Sequence, residues 1–133
     1  MNEKLPPRIK PKIKAAPKIR QVYWCKFWDD AILPEMWKER PVLIISGNNV
    51  LNGHCAVLPM STQPQKGYSE RWAHKLSFRP DGEEDTWVVC NHLCTVSTGR
   101  LSQFRGNAIP RLDGDEFNTI LAIMYKRLPV PQG

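Results

Sequence analysis

Arg40-Pro41-Val42-Leu43-Ile44-Ile45-Ser46 and Cys55-Ala56-Val57-Leu58-Pro59-Met60 are the stretches that decide the fold. Each is short, almost wholly apolar and free of helical spacing, which suits strands covered on both faces. Gly47-Asn48-Asn49 and Asn52-Gly53, lying between them, supply the residues of a return. Outward from this pair, Val22 to Phe27 alternates and is rich in β-branched and aromatic residues, so it is a first strand. Trp28 to Glu39 is a long connection, with one helical turn expected from Pro34. On the other side, Thr62 to Arg71 is a polar loop, Ala73 to Phe78 a strand, and Arg79 to Asp85 an acidic turn. Thr86 to Cys90, or a little beyond, is a further strand; Ser97 to Arg100 is a turn, and Gln103 to Ile109 is expected to be a last short strand. The chain then changes period. Asp113 can cap a helix, with Glu116 three residues on as in a capping box. Phe117, Ile120, Leu121 and Met124 form one apolar face, and Pro129 ends the helix. Short strands followed by one packed helix indicate a mainly β (α+β) fold, a small, strongly bent antiparallel β-barrel with a C-terminal helix laid on it.

With 133 residues the chain is expected to form one folded domain with a single core. No apolar run is long enough to span a membrane, and the first residues lack the apolar stretch of a secretory signal, so a cytoplasmic location is expected. The net charge of +6 is unevenly placed. Residues 1–20 carry seven Lys or Arg against one Glu, whereas the remainder carries twelve of each sign. The basic, proline-punctuated segment 1–20 reads as an extended, solvated arm, and residues 21–133 as the folded body. A neutral body gives no global electrostatic case for nucleic acid, so any such binding must come from local clustering or from the arm. The four cysteines at positions 25, 55, 90 and 94 lie inside strand-like runs and read as reduced thiols.

The mouths of the buried strands carry the polar residues. Arg40 precedes one run; Ser61, Thr62 and Gln63 follow the next; Asn91, His92 and Thr95 sit in or beyond Trp87-Val88-Val89-Cys90. A guanidinium suits an anion such as a phosphoryl group, a hydroxyl adds a hydrogen bond, and an imidazole can move a proton near neutral pH. Trp37, in the long connection, is placed to stack on a base, although loop anchoring or a dimer contact accounts for it equally well. Cys90, His92 and Cys94 alternate, but no Cys-x-x-Cys pair accompanies them, so neither a metal nor another cofactor is expected.

These segments, in order, resemble a known family. Glu39-Arg40-Pro41-Val42-Leu43-Ile44-Ile45-Ser46, Val57-Leu58-Pro59-Met60-Ser61-Thr62-Gln63, and Trp87 to Val96 followed by Gly99-Arg100-Leu101 are similar to successive strands of the MazF/PemK (Kid-like) toxins. The opening Val22-Tyr23-Trp24-Cys25-Lys26-Phe27 is similar to the family's first strand, and the resemblance runs from about Val22 to Leu128. It implies a barrel of the CcdB/MazF type, a homodimer, and a toxin of a type II toxin-antitoxin system. It also implies metal-independent cleavage of single-stranded RNA through the 2′-hydroxyl, inhibition of growth until a cognate antitoxin binds, and a DNA-binding complex with that antitoxin. By the resemblance Arg40 and Ser61 are catalytic; His92, whose imidazole can serve as acid or base near neutral pH, is expected to share the work, and Thr62, Gln63, Asn91, Thr95 and Trp37 are expected to bind substrate. The chain also departs from the pattern. Asn91 stands where many members carry an acid, His92 where they carry Gln, and Val89 where some carry Arg. Asn91 cannot take a proton, which keeps a non-catalytic gyrase inhibitor like CcdB, or an RNA- or antitoxin-binding module, as the rival reading.

Overall fold

The computed structural model describes residues 4–47, 49–106 and 108–132. Asn48 of the expected return, Asn107 of the expected last strand and residues 1–3 of the arm lie outside the described residues. The elements are β1 (Val22–Lys26), β2 (Glu39–Gly47), β3 (His54–Ser61), β4 (Ala73–Lys75), β5 (Trp87–Val89), β6 (Cys94–Ser97), β7 (Leu101–Ser102) and α1 (Gly114–Tyr125). All strand pairs are antiparallel. The fold is therefore mainly an antiparallel sheet with one C-terminal helix.

The two apolar runs pair with each other through Val42↔Pro59, Leu43↔Leu58 and Ile44↔Val57, and the order across the sheet is β4-β5-β3-β2-β1-β7. On its far side β3 has two neighbours in succession. Its His54–Val57 half pairs with β6, and its last residues, Met60 and Ser61, pair with β5. One strand thus crosses from one part of the sheet to another, which bends the sheet. Among the described residues no pairing joins β4 to β7, so the sheet stays open at those edges.

Period-two alternation divides the core. Val22, Leu43, Leu58, Met60 and Val88 face one way and pack with Phe117, Ile120 and Met124 of α1. Tyr23, Cys25, Val42, Ile44, Cys55 and Val57 face the other way. Each fully buried aliphatic side chain on either face contributes about 1.5–3 kcal/mol. Asp113 caps α1, accepting a hydrogen bond from the Glu116 backbone N–H at 2.8 Å. The reciprocal half of the expected capping box is replaced. The Glu116 carboxylate instead reaches β4 and the residues after it, accepting from His74 Nε2 (2.9 Å), Ser77 N (2.9 Å) and Ser77 Oγ (2.8 Å).

Three expectations are corrected. Among the described residues of Gln103 to Ile109 there is no strand: Phe104 turns in to pack on Trp24 with ring centroids 4.8 Å apart, and Gly106 takes φ +109°, which ends an extended path. The connection from Trp28 to Glu39 holds a turn closed by Glu35 N to Ile32 O at 2.9 Å, not a helical turn. The arm is not wholly solvated. Ile13 is 4 % exposed and packs on the Tyr23–Ile44 face, and Pro17 is buried. A Cβ on Gly47 would stand 2.9 Å from the Pro17 carbonyl oxygen, so glycine there lets the arm lie against β2.

Candidate active site

Arg40 is the second residue of β2, paired with Cys25 of β1. Its Nε donates to the Trp37 carbonyl oxygen at 3.1 Å, so the connection after β1 holds the guanidinium. The β2–β3 pairing ends at Val42↔Pro59, and Ser61, the last residue of β3, pairs instead with Trp87 of β5. Ser61 is 8 % exposed, and its Oγ accepts the Gln63 N–H at 3.1 Å. That is the local turn bond a serine makes at a strand end, and it leaves the Ser61 O–H free to donate. Thr62 follows half-buried, and Gln63 is exposed, its carbonyl accepting from Gln65 Nε2 at 2.8 Å.

Asn91 and His92 sit in a turn between β5 and β6, with His92 N donating to Val89 O at 3.3 Å. The turn ends β5 at Val89, close to the expected limit at Cys90, and interrupts the alternation of Cys90, His92 and Cys94. Cys90 joins the core face under α1, whereas Cys94 packs against the opposite face, so the alternation a zinc site would use is broken. Asn91, His92, Leu93 and Cys94 line an open recess of about 290 Å³ whose other wall is Pro34, Glu35 and Met36. The long connection therefore folds back over the His92 turn.

Electrostatics ties this turn to Arg40. Burial pushes the His92 imidazole below its ordinary pKa, and the charges of Arg127 and Arg40 push it further the same way. A neutral imidazole held beside guanidinium groups is suited to accept a proton. Burial also lowers Arg40, which stays charged at neutral pH. The thiols do not compete as nucleophiles. Burial raises Cys25 and Cys90 to about 12, and Cys55 and Cys94 to about 11.

Not every expected residue reaches this rim. Thr95 lies on β6 opposite Ala56, five residues along β3 from Ser61, a rise of about 16 Å. It lines a separate recess with Pro6, Pro7 and His54. Trp37 is 48 % exposed, with the Lys38 ammonium 5.2 Å from its ring centroid. Trp72, in contrast, is half-buried, and its indole N–H is buried without a partner among the described residues. Arg127 escaped sequence reasoning as a site residue. It registers there as a cation near a helix end, and only the course of α1 across the sheet brings its charge to His92.

The model of the PemK-like, MazF-like toxin of type II toxin-antitoxin systems matches residues 18–125. The chain belongs to that family. No curated protein matches the sequence. Among solved structures, MazF from Deinococcus radiodurans is similar at TM-score 0.68 and 19 % identity, covering 86 % of this chain and 98 % of that one. An endoribonuclease in complex with its cognate antitoxin from a mycobacterial species is similar at TM-score 0.60 and 19 % identity, covering 87 % and 100 %. The Mycobacterium tuberculosis toxin MazF-mt6 gives TM-score 0.58 and 17 % identity, covering 81 % and 95 %. At these identities the likeness is one of fold. The MazF-like match begins at residue 18, so the arm up to Pro17 lies outside it.

Proposed function

We propose that this MazF-like toxin is an endoribonuclease that cleaves single-stranded RNA by attack of the RNA's own 2′-hydroxyl, without a metal ion. The observation that carries the reading is a guanidinium held at the start of β2, Arg40, whose charge acts on an imidazole of lowered pKa, His92, with a strand-end hydroxyl, Ser61, on the neighbouring strand β3. Arg40 binds the non-bridging oxygens of the scissile phosphate, where negative charge gathers during in-line attack. The Ser61 O–H donates to one of the same oxygens. Neutral His92 takes the 2′-hydroxyl proton; the 2′-oxygen bonds to phosphorus, the P–O5′ bond breaks, and the departing 5′-oxygen is protonated from water. The products are a 2′,3′-cyclic phosphate and a 5′-hydroxyl. Thr62, Gln63 and Asn91 contact the nucleotides around the cleaved bond, and the open face of Trp37 stacks on a base.

The protein acts as a homodimer that arrests growth until a cognate antitoxin covers it. Family membership and the likeness to an endoribonuclease seen with its antitoxin support that partner. The mechanism is tested by mapping a cleavage position and replacing the ribose there by 2′-deoxyribose. Cleavage at that position should cease while other positions are still cut. Continued cleavage would show an external nucleophile and refute it. An intact RNA pool together with gyrase-dependent DNA breakage would instead assign the CcdB-like inhibitory role.

A further inference from the structure

The arm does more than lie on the body. A cleft of about 440 Å³ opens between its residues Pro6 to Lys12 and the body beside β1 and β7. The arm wall is built into place. A Cβ on Gly99 would stand 2.9 Å from the Ile9 carbonyl oxygen, so glycine there lets the arm backbone seat directly on the turn before β7. Ile13, one residue past the cleft wall, is anchored in the core.

Three cations from separate segments line the cleft: Lys12 of the arm, Lys26 at the end of β1, and Arg100. Arg100 is held, donating through Nη1 to the Lys26 carbonyl oxygen at 2.9 Å and lying 6.0 Å from the Trp28 ring centroid. Among the described residues none of the three forms an ion pair with a carboxylate. Two acids, Asp29 and Glu39, also line the cleft, with apolar surface from Pro6, Pro7 and Ile9. Glu39 precedes Arg40 on β2 and pairs with Lys26, so the cleft lies at the end of β2 that carries Arg40, whose side chain leaves the strand on the opposite face.

We propose that this arm-walled cleft binds a nucleotide of the single-stranded RNA, its phosphate on Lys12, Lys26 and Arg100. The inference rests on the reading of the rim as a ribonuclease site. Mixed polarity favours a nucleotide over an acidic peptide. The cations take the phosphate, the apolar wall takes the base face, and the Asp29 and Glu39 carboxylates accept base N–H groups, which an acidic side chain does not offer. The Lys12 wall of this subsite precedes the family-matched span, whereas Lys26 and Arg100 lie within it.

The test measures binding of the full-length protein to a 2′-O-methylated single-stranded RNA, which cannot be cut, across about 50–200 mM salt. Lys12→Ala should reduce the slope of log affinity against log salt by about 0.7, one single-strand phosphate contact, making the fall over that range about 2.6-fold shallower. Lys12→Arg should restore the slope. Lys4→Ala, which removes the same charge from the arm outside the cleft, should leave the slope at the wild-type value. Equal effects at Lys4 and Lys12, or none at Lys12, would overturn the proposal. An unchanged RNA slope with weakened capture of an oligoglutamate peptide in Lys12→Ala would assign the cleft to protein and overturn it as well. If unmodified RNA is still cut by the wild type, only the cleft assignment falls. If the wild type neither binds nor cuts RNA, both readings fall.

Discussion

Replacing Ile13 by Ala tests whether the arm belongs to the fold. Ile13 is 4 % exposed and packs with Tyr23, Val42 and Ile44 on the sheet face away from α1. The substitution removes three carbons, about 2.4 kcal/mol of transfer free energy at ~0.8 kcal/mol per methylene. The strands beneath are hydrogen-bonded on both sides and cannot collapse fully, so a cavity term adds to this. Buried Ile→Ala changes span about 2 to 5 kcal/mol, and about 3 kcal/mol is expected here. In a domain of this size that lowers the melting temperature by about 10 °C. Urea unfolding followed by tryptophan fluorescence should show a lower midpoint with an unchanged slope. Ile19→Ala, at a site 47 % exposed on the same arm, should fall within about 0.5 kcal/mol of wild type. Equal midpoints for the two variants would refute the account, since Ile13 would then contribute nothing to the folded body.

Three further outcomes follow from the same geometry. Burial pushes the Glu116 carboxylate up, but bonds from His74 and Ser77 outweigh this and hold it below the ordinary glutamate value. A carboxyl depressed on folding stabilises above its unfolded pKa and loses that contribution as pH falls through the folded one. The stability gap between wild type and Glu116→Gln should therefore be widest near neutrality and close in acid; a gap independent of pH contradicts the assignment. Removing a neighbouring cation favours the protonated imidazole, so Arg127→Ala should raise the His92 midpoint in an NMR titration, whereas an unmoved midpoint would place Arg127 outside the site. Thr95→Ala should leave the RNA cleavage rate unchanged, given its place opposite Ala56; a large loss would mean that the substrate path runs along β6.

Most of the fold was legible because it rests on local patterns. The β2 and β3 runs are continuous apolar stretches bounded by turn residues, and they pair as strands with a register that follows from burial. α1 was legible from its cap and its apolar spacing. What escaped reading depends on long-range placement. Glu116 has the spacing of a capping box, yet His74 of β4 and Ser77 beyond it offer its carboxylate three donors, which the sequence spacing does not show. The split between β5 and β6 turns on Asn91, a turn former set among apolar residues whose pattern otherwise reads as one strand. Ile13 sits alone among prolines and lysines, so no periodicity announces its burial. Arg40 at the start of β2 and Ser61 at the end of β3 were legible as strand-end residues because each bounds a continuous apolar run. The position of Thr95, opposite Ala56, was not legible because the turn at Asn91 to Leu93 sends β6 toward the other end of β3.

The central claim is a ribonuclease centred on Arg40, and its most direct test is cleavage of a long single-stranded RNA in excess EDTA, with end-group analysis. The wild type should produce 2′,3′-cyclic phosphate and 5′-hydroxyl ends, and Arg40→Ala, folded to the same melting temperature, should lose at least about 100-fold in rate, as when a fixed charge donor is removed from a transition state. Near-full activity in Arg40→Ala, or intact RNA with the wild type, would contradict the account.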